Sequence, residues 1–295
     1  MDITEPRMRT VCNKSSSHLH VRGLVLAGVT TLVVSLLTPS GDVMAGESEW
    51  SFFRQGGRAF APLKADPREA RFRFGFMYND DGFFEDLAWG GDLAMVEGRF
   101  ADSTLTLTTR GVLTGRFDIS SDSFDLLNVD FIGGLAMGYR SLPFAVELFV
   151  YHQSSHLGDE VTERGDRTRI DFGVEELRLL ADWRWSIIRL YAGGKVTLHA
   201  FPPDLSGRTV LETGIEVSGS AGKVPLYAAF DIQGRVDQPD LHASCLQGGV
   251  GLGSAEVSRR VLYIFMELFA GRSNMGQYHA ERERHVLLGI SYLFQ

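Results

Sequence analysis

The stretch FAVELFVYHQS, Phe144 to Ser154, decides the fold. Phe144, Val146, Leu148 and Val150 alternate with Ala145, Glu147, Phe149 and Tyr151. A period of two is the mark of a β-strand, whose successive side chains point to opposite faces. The one charge, Glu147, belongs on the inner face of a closed sheet. That leaves Phe144 to Val150 as an apolar outer face, the pattern of a strand in a membrane barrel. The same alternation runs through RFRFGFMY (Arg71 to Tyr78), STLTLTT (Ser103 to Thr109), RLYAGGKVTLH (Arg189 to His199) and HVLLGISYLF (His285 to Phe294).

Segments of this kind number about twelve, near 70–80, 87–100, 103–118, 125–139, 143–154, 169–184, 187–199, 208–219, 224–236, 242–254, 260–272 and 284–294. Most exceed the roughly 5–6 residues of ordinary strands and reach the roughly 9–11 that a tilted strand needs to cross a bilayer. The connections sort by length. NDDGFFED, the stretch near DISSDSFD, HLGDEVTERGDRT, HAFPPDLSGRT, GRVDQPD and GRSNMGQYHAERER alternate with the tighter RFAD, RSLP, WRWS, GSAGK and SAEVSRR. Long loops on one side and short turns on the other are the barrel rule. Trp89, Tyr139, Trp183, Trp185 and Tyr292 stand near strand ends, where interfacial girdles are expected. The terminal aromatic, Phe294, lies one place before the last residue, Gln295. The fold class expected is therefore all-β, an antiparallel transmembrane barrel of about twelve strands with a short N-terminal extension. A secreted β-sandwich is the alternative.

Composition agrees. The 295 residues include 33 glycines and 9 prolines, and glycines inside apolar stretches suit twisted strands better than helices. The first 45 residues read as a secretory signal: Arg7, Arg9, Lys14 and Arg22, the uncharged run Gly23 to Leu37, then Val43-Met44-Ala45. The organisation expected is a signal over 1–45, a periplasmic extension over 46–69 and a barrel over 70–295, in the outer membrane of a Gram-negative bacterium. The extension would either cap the periplasmic mouth or plug the lumen. Loss of the signal leaves the chain acidic, as the whole chain is at −8. Nucleic acid, bound through basic contacts to phosphates, is excluded as a partner. Cys245 alone remains of two cysteines, so no internal disulfide can close.

Three stretches taken together, FAPLKADPREARF (Phe60 to Phe72), YHQSSHLGDE (Tyr151 to Glu160) and SNMGQY (Ser273 to Tyr278), resemble a family of exported bacterial proteins of uncharacterised function expected to be outer-membrane barrels. The resemblance implies fold and location and names no activity. YHQSSH (Tyr151 to His156) is also similar to the His-x-Ser segment of outer-membrane phospholipase A, a twelve-stranded barrel in which the histidine is the base, the serine the nucleophile, and an asparagine on a nearby strand the orienting group. The similarity implies His152 as base and Ser154 as nucleophile. It departs at Ser155-His156, where that family has Asn-Gly, and no asparagine here matches the orienting one.

The residues make their own argument. Continuing the parity of Phe144 to Val150 puts His152, Ser154 and His156 on the outer face at the outward end of the strand. Residues two apart on one face are neighbours. A serine nucleophile needs an adjacent base, and that base needs an orienting group. Asp171, Glu175 and Glu176 on the following strand are the candidates. Ile170, Phe172 and Val174 share one face while Leu177 and Leu179 take the other, which predicts a bulge near Glu175. Asp159 and Glu160 are alternative ligands for a divalent cation, calcium by their oxygen chemistry. In the competing reading the stretch caps a polar loop, with Gly158 making the turn. His199, His242, His279 and His285 show no metal-ligand spacing and are assigned to loop or lumen positions.

Three functions follow: a serine esterase or phospholipase-like lipid hydrolase using His152 and Ser154, a passive channel or transport barrel for small solutes, and a structural or adhesion barrel. Outer-membrane lipids are the partners expected, with a homodimer as an open alternative.

Overall fold

The computed structural model describes residues 49–55, 57–238, 242–252 and 261–292. The signal over 1–45, Phe294 and Gln295 lie outside the described residues.

Thirteen strands form one antiparallel sheet: β1 (Glu49–Gln55), β2 (Phe72–Asn79), β3 (Gly82–Phe100), β4 (Ser103–Asp118), β5 (Asp125–Ser141), β6 (Phe144–Leu157), β7 (Phe172–Trp185), β8 (Ile188–Phe201), β9 (Thr209–Ala221), β10 (Val224–Arg235), β11 (His242–Leu252), β12 (Leu262–Arg272) and β13 (Arg282–Tyr292). Each of β2 to β13 pairs with its sequence neighbour, and β13 returns to β2 from Tyr292 opposite Phe72 to His285 opposite Asn79. The wall is therefore a closed twelve-stranded barrel, as the alternation requires, and closure leaves its strands no free edge. Along β6, Ala145, Glu147, Phe149 and Tyr151 are buried while Phe144, Val146 and Val150 are exposed. The apolar face points out.

Three expectations change. The stretch NDDGFFED is not a long loop. Asn79 Oδ1 accepts from the amides of Asp81 and Gly82 at 2.8 and 3.0 Å, and β3 resumes at Gly82 with φ +147°. Trp89 lies in mid-strand, opposite Leu113, while Tyr139, Trp183 and Trp185 stand near the tight-turn rim. The third change is β1. It pairs with Leu93 to Arg99 of β3, and β2 pairs with Gly82 to Trp89 of the same β3 edge. The two lie end to end as one interrupted strand, and Trp50, Phe52 and Phe53 of β1 are exposed apolar residues.

The chain between them turns inward and plugs the lumen. Phe60, Leu63, Ala65 and Ala70 are at most 1% exposed. Phe60 and Leu63 pack with Ala145, Leu180 and Tyr191. Ala65 joins Met77, Phe265 and Leu287, and Ala70 joins Ala88, Ile132 and Phe149. Each large apolar side chain removed from water in this way contributes roughly 1.5–3 kcal/mol. Arg71, 1% exposed, staples the plug to itself by donating to the carbonyls of Lys64 (2.8 Å), Leu63 (3.1 Å) and Asp66.

Charge fixes the plug to the wall. Arg58 donates to Glu69 (2.8 Å), Asp92 (3.3 Å) and Glu147 (3.3 Å). Arg110 spans Asp92 and Glu147 at 2.8 and 2.7 Å. Arg178 holds Asp66 at 3.0 Å and also Glu212. Arg189 donates to Ala61 O and Pro62 O at 2.8 and 3.1 Å, over the Phe60 ring. Burial alone would lift the Glu69 carboxyl, but Arg58 and then Arg110 and Arg178 hold it well below the ordinary range, so it stays ionised. Removing one partner of such a network strands buried charge, at roughly 3–5 kcal/mol. Arg58→Ala, which leaves three carboxylates without their shared cation, is expected to lower unfolding free energy by about that much. Urea unfolding of the refolded barrel measures it, and an unchanged midpoint would show that Arg58 does not anchor the plug.

Candidate active site on the outer wall

The strand β6 serves two faces at its loop-rim end. His152, Ser154 and His156 point outward, and Gln153, Ser155 and Leu157 point inward and are buried. The inner set docks the loop that follows β12. Asp130 accepts from Gln153 Nε2 (3.0 Å), Asn128 Nδ2 (2.8 Å) and the Gly276 amide (3.0 Å). Ser155 Oγ donates to Asn128 Oδ1 and accepts from the Gln277 amide, both at 3.0 Å. Gln277 then bridges Ser155 O and Ile170 O at 2.8 and 2.9 Å. A Cβ on Gly276 would stand 2.5 Å from Ser155 Cβ, so only glycine fits there. Ser155 is thus committed to structure. The stretch SNMGQY owes its sequence to this seat.

On the outer face three side chains from three adjacent strands meet. His152 of β6 is paired with Glu175 of β7, and Glu175 with His199 of β8. His152 Nδ1 lies 3.1 Å from Glu175 Oε1, and His199 Nδ1 lies 2.6 Å from Oε2. A carboxylate only accepts, so both Nδ1 atoms carry a proton, and in a neutral imidazole so held Nε2 is the acceptor. The three side chains are 53%, 42% and 47% exposed, open to the surroundings of the wall. Ser154, half-buried, is two residues from His152 on this face and is paired with Gly173. The imidazole leans over that glycine: a Cβ there would lie 3.5 Å from His152 Cε1. The ring thus extends toward the Ser154 level, although no hydrogen bond joins Ser154 to His152 in the structure.

Glu175 is the candidate that the structure brings to His152. Asp171 is exposed ahead of β7 and makes no bond to His152, and Glu176 faces inward to Tyr151, Thr197 (2.9 Å) and Lys195 (3.4 Å). The predicted bulge exists, but on the other strand. Residues of β7 keep one parity throughout, with Val174, Glu176, Arg178 and Leu180 buried. The extra residue is Leu198 of β8, since Glu175 is opposite His199 and Glu176 opposite Thr197. The parity change in the sequence has a different cause. Val174 faces an apolar cluster with Ala200 and Leu205, and Phe172 packs against it. The β8 bulge turns Leu198 and His199 outward together, and this brings His199 to Glu175. Alternation through KVTLH gives no sign of it.

Asp159 and Glu160 open a single helical turn, α1 (Asp159–Glu163). Among the described residues, no group of three His, Cys, Asp or Glu side chains is arranged to hold a metal ion. His156 Nδ1 accepts from Arg169 Nη2 at 3.0 Å, and its ring stands edge-on to Phe131.

Comparison with known proteins agrees with the architecture. Outer-membrane phospholipase A from Escherichia coli superposes with a TM-score of 0.56 at 11% identity, over 79% of this chain and 98% of that one. The Salmonella typhi outer-membrane phospholipase, a dimer with bound calcium, gives 0.55 at 11% identity, over 78% and 94%. At that identity the likeness is one of fold, that of outer-membrane barrels. No curated protein sequence matches the chain. Residues 49–294 match the model of a family described as protein of unknown function (DUF1207), and the chain belongs to that family.

Proposed function

We propose that the protein is an outer-membrane barrel of a Gram-negative bacterium that hydrolyses lipid esters at its outer wall, with Ser154 as nucleophile, His152 as base and Glu175 as the orienting carboxylate. The observation that carries this reading is the bond between Glu175 and His152 Nδ1, on the face that also bears Ser154. A hydroxyl is a weak nucleophile at its free pKa and needs a base within reach. Here the base has its Nδ1–H fixed by a carboxylate, and Ser154 lies two residues along the same strand face. Ser154 Oγ attacks the ester carbonyl as His152 Nε2 takes its proton. Glu175 stabilises the imidazolium, which returns the proton to the leaving alcohol, and water then releases the acyl group by the same route. His199 holds the second carboxylate oxygen and keeps Glu175 from turning away.

Position supports the assignment. The wall around the site exposes Phe131, Leu135, Val150 and Phe201, an apolar surface suited to acyl chains. Polar groups on a barrel's outer face are tolerated near the interface, where ester bonds lie.

The test is covalent. Refolded barrel in detergent is treated with a lipid-like fluorophosphonate, and the adduct is located by peptide mass spectrometry. Modification at Ser154, lost in His152→Ala, is expected. A folded barrel that stays unmodified, or reacts at another serine, would sink the assignment. Runs with and without calcium, and above and below a self-association threshold, decide whether Asp159 and Glu160 hold calcium and whether the working form is a homodimer.

A further inference from the structure

Behind the outer-wall site, on the inner face of the same strands, lies an unfilled space. At the loop rim a cavity of about 130 Å³ opens between the plug and the connections at 202–208 and 273–281. Arg68 of the plug lines it, as do Lys195, Arg235 and Arg272 from the wall and Arg208 from the first connection. Three carboxylates meet these five cations: Glu176 at 3.4 Å from Lys195, Asp204 at 3.1 Å from Arg208, and Asp237 beside Arg235. Asp66 and Glu212 also act on Arg68, so the excess of positive charge falls on Arg208, Arg235 and Arg272, which face only Asp204 and Asp237. Arg68 donates to a neutral group, Gln233 Oε1, at 3.2 Å. The Arg272 side chain has no hydrogen-bond or ion-pair partner among the described residues, and its Nε is buried. Burial and then the adjacent Arg235 hold the Arg208 guanidinium below its ordinary value, a sign of crowded positive charge.

We propose that this vestibule binds a phosphate group. Guanidinium forks match phosphate oxygens in pairs, and charge-assisted bonds of this type are the strong ones. An oxyanion offsets the excess positive charge and gives the Arg272 donor its missing acceptor. A buried donor without a partner is disfavoured, so the site as it stands is built for an occupant. Its mouth is at the loop rim, where Asp204 is 70% exposed, so the ligand enters from outside the barrel and not through the wall. The same chemistry serves a free phosphate and a phosphorylated lipid headgroup.

Isothermal titration of the refolded full chain in a maltoside detergent tests this with two probes, inorganic phosphate and a short-chain phosphatidic acid. Saturable binding is expected, weakened about tenfold or more in both Arg272→Gln and Arg208→Gln, with unchanged thermal unfolding of the variants. Binding of both probes means that the pocket reads phosphate itself. Binding of only one identifies the source as free solute or as headgroup. No saturable binding of either probe by the folded barrel, or equal binding by Arg272→Gln, overturns the proposal.

Discussion

Replacing Ser154 by alanine is expected to reduce fatty-acid release from phospholipid micelles by at least about a thousandfold, because no other group in a Ser-His-carboxylate set can supply the attacking oxygen. His152→Ala should fall to a similar floor, since the two act as one unit and their losses do not add. Glu175→Gln keeps the shape of the orienting group but not its charge. It is expected to cost two to four orders of magnitude, mostly in kcat, as the imidazolium loses its counter-charge. His199→Ala should cost far less and be partly restored by His199→Gln, whose amide can still donate to Glu175. The side chains of His152, Glu175 and His199 are all 42% exposed or more and take no part in the lumen network, so unfolding midpoints should not move. Release that persists in Ser154→Ala would remove catalysis from this face altogether.

Excising the plug is the other large change. In planar bilayers the whole protein is expected to be silent, and a variant with residues 57–70 replaced by a short glycine-serine bridge is expected to give discrete conductance steps. Strand number does not settle the matter. Eight-stranded barrels fill themselves with side chains and sixteen-stranded porins hold water, and a twelve-stranded wall lies between. The closure here comes from the chain inside: Arg58, Phe60, Leu63, Asp66 and Glu69 are all buried among wall residues. Without them Arg110, Glu147, Arg178 and Glu212 would face a wet passage. Steps of equal size from both proteins would show that the plug does not seal the lumen and would revive the reading as a passive channel.

Most of the wall was legible because strand alternation is a local signal. Segments expected at 103–118 and 125–139 appear as Ser103–Asp118 and Asp125–Ser141. The outward parity of His152 and Ser154 followed from Glu147 alone. What depended on distant partners was not legible. EWSFFRQ lacks a period-two face, and becomes a strand only because β3 is long enough to pair with it beyond β2 on the same edge. Asp171, Glu175 and Glu176 were equivalent in sequence, and pairing with β6 separates them. Alternation alone sends His199 to a loop or the lumen, and a single extra residue, Leu198, reverses its side. Nor does the spacing of Arg58, Glu69, Asp92 and Glu147 hint that they share one cluster, since the plug that joins them is read only in three dimensions.

The interruption between β1 and β2 bears on how the molecule is made. Residues 57–71 are tethered at both ends to the same edge of β3, and β2 is also the strand that zips against β13. Both anchors of the segment therefore lie beside the seam where the first and last strands of the wall meet, and β2 serves the plug and the seam at once. A chain that closed with the segment outside would hold unmatched charge on both sides of its wall. Seating of the plug and closure of the wall are thus coupled through one strand, so whatever steadies the contents of the barrel also steadies its seam.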